Sequence, residues 1–500
     1  MNLYLINLEI AVALLGLGIL LMDLWLPPDK RRQLGYLAAI GVALILAASF
    51  VWPPLQLKLP AGPLLFQRIE FAFGGSYVVD LLALFFKRFF LLAAVLVLLM
   101  AVEFSDRFAA GVSEYFSLVL FALVGMMLAA SANDFVMLFV SIELITVTFY
   151  VLTSFQRSRL VSLEAGVKYL ILGAMASAFM VYGIALVYGV SGTFNFYELA
   201  AKATELSAKP VFLMGLLLVL LGLGFKIAAF PLQIWTPDVY QGAPTPTTAF
   251  LAIGSKAAGF VLLLRFLFIA VPAVTQHWTK LLVAISALTI LYGNLCAIPQ
   301  RNLKRLLGYS SIAHAGYLLL GVVVLAANRS NPLSGGAAML YYLAGYLFTV
   351  LAAFAVIVLV MRTAETEDIS GLAGLSTRSP LLAATLTFSM MSLAGVPPLA
   401  GFFGKFLLLK AVLEQGAAYY GLVAVALIGM VISLYYYFGV IRAVYWSPTP
   451  ADLSPVSTPV PMRLTLAVCI VGMFFLGIFP GPAVRWASEA ISVLAVKVAG

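Results

Sequence analysis

The chain has 500 residues, of which 63% are hydrophobic and 10% charged, with a formal net charge of +9 and a mean hydropathy of +1.09. Soluble globular proteins are about half apolar and a quarter charged, so this composition excludes one and leaves a membrane protein of many spans. The positive charge is explained by anchors in the connectors and by lysines within the apolar runs, and forms no nucleic-acid-binding patch.

Apolar runs of about 20 residues recur along the chain, the length a helix needs to cross a hydrocarbon core roughly 30 Å thick. They predict an all-α polytopic protein of about fourteen spans. These lie at 3–22, 34–52, 77–101, 113–131, 133–153, 164–189, 211–230, 242–271, 277–298, 303–327, 334–361, 380–414, 418–441 and 464–480. The alternating pattern of a lipid-facing barrel is absent. The first run, Leu3 to Leu26, lacks a basic leader and is too long for a signal-peptide core, so it reads as a retained helix. Connectors around 53–76, 190–210 and 442–463 are too short for a folded soluble domain. No phosphate-binding loop, dinucleotide fingerprint or His/Cys cluster is present. Cys296 and Cys469 lie in apolar runs and read as small core residues, because an iron–sulfur cluster usually takes four cysteines.

Connectors after odd-numbered spans carry Lys30, Arg31, Arg32, Arg107, Arg157, Arg159, Arg301, Lys304, Arg305, Arg362, Arg378, Arg442 and Arg463. The opposite side and the tail carry Lys58, Arg68, Lys202, Lys209, Lys280, Arg329, Arg485 and Lys497. The positive-inside bias then turns both termini away from the cytoplasm.

Two stretches are too long and too broken for plain helices. Residues 211–250 contain Pro231, Pro237, Pro244 and Pro246, and residues 380–414 contain Val396-Pro397-Pro398 with Gly395, Gly401 and Gly404. Proline removes a backbone donor, and open backbone at membrane depth is tolerated only against protein or a wet cavity. Paired interruptions in two halves of a chain point to an inverted-repeat transporter and its ion site.

Basic residues also fall inside the spans: Lys87, Arg88, Lys168, Lys226, Lys256, Arg265, Lys405 and Lys410. One acid, Glu143, sits at the centre of its span, and His314 lies mid-span in "GYSSIAHAGYLLLG". Each charge costs roughly 2.5 to 3.5 kcal/mol at mid-bilayer unless it faces another charge or water. Lys87, Arg88 and Lys410 can snorkel or hold lipid phosphate on their long stems, and Arg265 suits a structural ion pair. Lys168, one turn into its helix, divides between anchoring and function. Glu143, Lys226, Lys256 and Lys405 are the functional candidates. Glu143 precedes Lys226 by 83 residues and His314 precedes Lys405 by 91, and each lysine adjoins a break. Desolvation favours a neutral lysine, whereas a nearby carboxylate favours a charged one. Glu143 and Lys226 therefore form a candidate switch, with the proton held when the two are close and released when they part.

The run "FKIAAFPLQIWTPDVYQGAPTPTTAFLAIGSKAAGF" resembles the signature of the antiporter-like membrane subunits of respiratory complex I. "VKYLILGAMASAFMVYGIALVYGVSGT", "QRNLKRLLGYSSIAHAGYLLLG" and "SLAGVPPLAGFFGKFLLLKAV" match in order and spacing, so the likeness runs from about residue 113 to 446. It implies two inverted five-helix repeats with discontinuous helices, 113–271 and 277–446, flanked by 1–112 and by a helix and tail at 447–500. By position it gives proton transfer to Glu143, Lys168, Lys226, Lys256 and Lys405; the parallel spacing above adds His314. Pro231, Pro237, Pro397 and Pro398 mark the helix breaks. Lys405 fits two of the family's large subunit types, whereas a third and a sodium–proton antiporter relative usually carry glutamate. Gln233 departs from the histidine frequent in relatives.

The resemblance also implies a multi-pass subunit of the bacterial inner membrane, with periplasmic termini and other antiporter-like and small membrane subunits as partners. Cofactors are expected in those partners (NADH, FMN, iron–sulfur clusters and quinone) and none in this chain. Two alternatives compete, a subunit of a multi-subunit cation/proton antiporter and a purely structural spacer.

Overall fold

The computed structural model describes residues 2–27, 30–51, 69–327, 331–361, 367–447 and 454–495. Lys58, Arg68, Arg329, Arg362 and Lys497, five of the predicted anchors, lie outside the described residues.

Three helices open the chain: α1 (Asn7–Asp23), α2 (Arg32–Val51) and α3 (Leu81–Phe104). Before α3, strands β1 (Glu70–Ala72) and β2 (Tyr77–Val79) pair antiparallel with Phe71 opposite Val78. The body follows as α4 (Val112–Ala130), α5 (Phe135–Thr153), α6 (Leu160–Ser191), the short α7 (Phe196–Leu206), α8 (Pro210–Ile227), α9 (Trp235–Gly242) and α10 (Thr245–Ala270). It continues through α11 (Pro272–Ala297), α12 (Leu303–Ala327), α13 (Leu333–Val360), α14 (Pro380–Ala394), α15 (Ala400–Leu413) and α16 (Ala417–Trp446). Helices α17 (Val460–Ile478) and α18 (Pro480–Ile491) close it.

Among the described residues, 13 helices are long and apolar enough to cross a membrane. The remaining predicted span, 380–414, is divided into α14 and α15, of 15 and 14 residues. Helix starts follow local chemistry. Asp80 and Asp134 accept the Ala83 and Met137 N–H groups at 2.7 and 2.6 Å, and prolines at 210 and 380 open α8 and α14, where a missing donor costs nothing.

Helices α10 and α12 are 94% buried over their most apolar window and α13 is 89% buried, whereas α6 and α16 are 33% buried. A helix apolar on all sides belongs either inside a large protein or in lipid. Here α10, α12 and α13 form the interior.

Both broken helices end alike. Ala228 (φ +60°) follows α8 and Gly395 (φ +89°) follows α14, each in the left-handed conformation that closes a helix. The open backbone then finds side chains: Phe230 N–H donates to Thr289 Oγ1 at 3.0 Å, and Gly401 N–H to Ser392 Oγ at 3.2 Å. Pro231 lies within the first gap and Pro397 and Pro398 within the second. Pro237 sits beyond its gap, in the first turn of α9, where a helix tolerates proline.

The charges of the N-terminal flank are enclosed. Lys87 is 1% exposed and does not snorkel: its Nζ pairs with Glu9 Oε1 at 2.9 Å and donates to the Tyr77 hydroxyl at 2.6 Å. Glu9, like Glu103, is thus an acid buried within a span, which sequence reading did not single out. Lys410 is exposed and lies 3.8 Å from Glu414. Arg265 meets Asp80 through two bonds, 2.9 and 3.0 Å, with both side chains fully buried.

At the opposite ends of the helices, Lys304 is buried and no surface anchor. It donates to Ala243 O at 3.0 Å and lies 3.4 Å from Glu367, which also receives Arg159 at 2.8 Å. Burial alone would raise the Glu367 carboxyl, but the charge on Lys304 and the bond from Arg159 hold it below its ordinary 4.5.

Removing one partner of a buried ion pair costs about 3 to 5 kcal/mol. Arg265→Met is therefore expected to collapse the thermal stability of the detergent-purified protein, and adding Asp80→Ala to recover part of it; equal losses in the single and double variants would refute the pairing. A carboxyl depressed in the fold stabilises above its ordinary value, and that gain fades as pH falls through the lowered value. The melting difference between wild type and Glu367→Gln should accordingly be full above about pH 4.5 and shrink below it. A pH-independent difference would mean that the latch is not ionic.

Candidate functional site: buried charges at two helix breaks

Four of the six predicted ionisable residues are almost wholly buried, and all four lie on helices that touch α10 or α12. Lys226, Lys256 and Lys405 are each 3% exposed and His314 is 2% exposed. None of the four makes an ion pair among the described residues, so each is satisfied by neutral groups.

Glu143 in α5 is half-buried and receives the Ser177 hydroxyl of α6 at 2.5 Å. Lys226 occupies the last turn of α8, where the carbonyl end of the helix favours a cation. Its Nζ donates to Thr146 Oγ1 at 2.8 Å, and Thr146 in turn donates to Ile142 O. Thr146 stands one turn beyond Glu143 on the same helix. The predicted Glu143–Lys226 pair is therefore apart here, each partner resting on a neighbouring hydroxyl.

Lys256 follows a π-helical turn, Leu251–Ser255, inside α10. Such bulges turn side chains out of register and recur at functional sites. Its Nζ donates to the Ser311 carbonyl at 2.5 Å and contacts the Ser311 hydroxyl. Gly259, one turn on, lets α8 approach closely: a Cβ there would lie 3.3 Å from Lys226 Cγ. The stems of Lys226 and the turn carrying Lys256 are thereby packed together.

Helix α12 lies between Lys256 and Lys405. Ser311, His314 and Tyr317 stand three residues apart on one face. Ser311 Oγ lies 3.0 Å from the Tyr240 hydroxyl. His314 Nδ1 contacts the Tyr342 hydroxyl, and Nε2 lies 3.0 Å from the Tyr437 hydroxyl, which reaches Ser310 Oγ at 2.5 Å. Lys405 lies 5.1 Å from the Tyr317 ring centre, within cation–π range. Its Nζ also donates to the Leu393 and Ala394 carbonyls at 2.6 and 3.2 Å, the open end of α14. A break thus gives each outer lysine a helix end to face.

Lys168 stands outside this row. Its side chain is 42% exposed and bound to Glu164 and Asp238, both at 2.7 Å, while Arg305 holds the other Asp238 oxygen at 2.5 Å. Gln233 is buried, and among the described residues its Oε1 and the hydroxyls of Tyr150, Tyr169, Thr236 and Ser255 have no partner within close hydrogen-bond geometry, Tyr169 and Ser255 facing each other. The groups that sequence reasoning missed are the uncharged ones, Thr146, Ser177, Ser311, Tyr342 and Tyr437. Only "SSIAHAGY" carried a signal, polar residues one turn apart on an apolar helix. Among the described residues, no group of three or more His, Cys, Asp or Glu could hold a metal ion.

Buried ionisable groups beside two helix breaks define a class of polytopic membrane proteins with titratable side chains held in the interior. The family model described as NADH:quinone oxidoreductase/Mrp antiporter, TM matches residues 132–433, and the chain belongs to that family. NADH-quinone oxidoreductase subunit N of Moorella thermoacetica is 40% identical over 489 residues, 98% of each chain. The subunit N of Rhodospirillum rubrum is 38% identical, covering 97% of this chain and 96% of its own. Among solved structures, a chain of respiratory complex I from Thermus thermophilus with bound aureothin is 33% identical with a TM-score of 0.77, covering 96% of this chain and 99% of that one. A chain of the Mrp complex from Dietzia sp. shares the fold at a TM-score of 0.80 and 22% identity, covering 99% of this chain and 98% of that one.

Gly395 should not accept a side chain. An alanine there would pay about 1 to 2 kcal/mol for left-handed backbone, and its Cβ would press on Lys405 Cδ at 3.1 Å. Asparagine tolerates that backbone better but brings the same Cβ. Gly395→Asn is expected to melt nearer to wild type than Gly395→Ala while both impair turnover of the assembled complex; full activity in both would show that the position of Lys405 is unimportant.

Proposed function

We propose that this chain is a proton-translocating membrane subunit of an NADH:quinone oxidoreductase, in which redox chemistry in partner subunits drives protons through the buried row. The observation that carries the reading is α12, whose buried Ser311, His314 and Tyr317 lie between Lys256, bonded to Ser311, and Lys405, over the Tyr317 ring. Its relatives at 36 to 40% identity support it, being named subunits N of NADH-quinone oxidoreductase.

In this reading Glu143 and Lys226 are the gated pair. With Glu143 on Ser177 and Lys226 on Thr146, a small movement of α5 or of the α8 end brings the carboxylate to the ammonium. That favours the protonated lysine, and its reversal favours release toward Lys256. His314 relays between hydroxyls on both its nitrogens, and Lys405 receives the proton at the second break. The buried hydroxyls of Tyr150, Tyr169, Thr236 and Ser255 supply the polar walls that water needs. Lys168, in its rim cluster with Asp238 and Arg305, sets the charge at the edge of the path.

The same arrangement supports two inverted repeats, 113–271 and 277–446, each with one break and one lysine beside it. The termini then face the periplasm of a bacterial inner membrane, and NADH, FMN, iron–sulfur clusters and quinone reside in partners. The antiporter alternative draws on the family model, whose description also names the Mrp antiporter, and on fold likeness at 22% identity.

The test is proton pumping by the assembled complex in liposomes. Lys226→Ala and Lys405→Ala should each lower protons moved per electron, with the pumping rate falling on the order of 100-fold if about 3 kcal/mol of barrier is added. Unchanged pumping in both would refute the path.

A further inference from the structure

Helix α5 carries more polar groups on the Glu143 face than the row uses. Thr146 and Tyr150 follow Glu143 at helical spacing on that side. Thr146 leads to Lys226. Tyr150 leads elsewhere.

The facing side of α6 is shaped around Tyr150. Tyr169, Gly173 and Ser177 recur there, one turn apart. Ser177 holds Glu143, and Gly173 leaves room for the Tyr150 hydroxyl, because a Cβ at 173 would strike that oxygen. The Tyr150 and Tyr169 rings meet edge to face with centres 5.2 Å apart. Tyr169 in turn faces Ser255, the residue before Lys256 in α10. The charge of Glu143 reaches both tyrosine hydroxyls. Hydroxyls on Tyr150, Tyr169 and Ser255 therefore follow one another from the acid toward the second lysine, and Lys226 is not a member of the line.

All three hydroxyls are buried, and among the described residues none has a partner within close hydrogen-bond geometry. Other hydroxyls on the spanning helices are satisfied at home. Ser141, Thr146 and Thr148 each donate to a carbonyl of their own helix, whereas Ser255, at the end of the π turn, does not. Successive buried hydroxyls left open in this way mark a place for water, which typically makes about three hydrogen bonds to such groups.

We propose that ordered waters bridge Tyr150, Tyr169 and Ser255, and that this line is a second branch of the proton path, running from Glu143 to Lys256 past Lys226. The inference rests on the proton-translocating reading above. Each hydroxyl takes a proton on its oxygen as it passes its own hydrogen onward, so no tyrosinate forms and every group ends as it began. Glu143 thus serves two exits from one face of α5, a switched one through Lys226 and an unswitched one through the tyrosines. Lys256 can then reload while Lys226 keeps its proton.

Proton pumping by the assembled complex in liposomes, with electron transfer measured alongside, tests the branch. Tyr169→Phe keeps the ring against Tyr150 and Trp235 and removes only the hydroxyl. It should lower pumping about twofold where Lys226 is present and about tenfold in a Lys226→Ala background, where the branch is the sole route. Gly173→Ala, which displaces the Tyr150 hydroxyl without removing it, should show the same dependence on Lys226. Electron transfer should not follow this pattern, as it would if the tyrosines only packed. Equal factors in the two backgrounds would overturn the branch and leave the row standing. If Lys226→Ala alone pumps normally, a fall on adding Tyr169→Phe assigns the transfer to the tyrosines, and no fall overturns branch and row together. A density map of the complex with no water between the Tyr150 and Tyr169 hydroxyls would also overturn the branch.

Discussion

The structure is organised around the cost of holding lysine in hydrocarbon. Three buried lysines with no carboxylate within ion-pair distance among the described residues would together cost on the order of 8 to 10 kcal/mol on insertion scales, comparable to the whole stability of an ordinary domain. The chain offsets that cost with backbone. Breaking α8 and α14 leaves carbonyl ends at membrane depth, and Lys226 and Lys405 stand at those ends. Lys256, which follows a π turn in α10, donates instead to the buried Ser311 carbonyl of α12. Irregular helix and buried charge are thus one device, since neither is tolerable at this depth without the other.

That device differs from the ion pairs elsewhere in the molecule. Arg265 and Asp80 are locked by two bonds, and Lys87, Glu9 and Tyr77 form a closed triad. Such groups cannot exchange a proton without leaving a bare charge; the first ties the start of α3 to α10 and the second ties α1 to α3. The row is held by hydroxyls and carbonyls, which bind the charged lysine moderately and release it at modest cost. Strength of pairing separates scaffold from machinery, and both kinds of site occur on α10, nine residues apart at Lys256 and Arg265.

Much of the scaffold was legible in the sequence because hydrophobic length has a single physical meaning in a bilayer. Spans, breaks near 231 and 397, and the depth of Lys226, Lys256, His314 and Lys405 follow from counting residues. The count failed where a residue's neighbours decide its state. Lys87 has the stem to snorkel, yet Glu9, 78 residues earlier, holds it inside. Pro237 looks like a breaker in sequence but lands in a first turn where proline is harmless. Lys168 and Lys256 look alike on paper, and the fold puts one at a rim cluster and the other in the interior.

What the sequence determined by itself was the membrane character, the number of spans and the ionisable groups at mid-depth, because these depend on transfer free energies that act residue by residue. What only the tertiary structure decided was the set of contacts: that Glu143 and Lys226 stand apart on separate hydroxyls, and that α12 offers Ser311 to Lys256 and Tyr317 to Lys405. Hydrogen bonds between residues tens to hundreds of positions apart depend on ångström-scale placement of packed helices, and no local pattern encodes that.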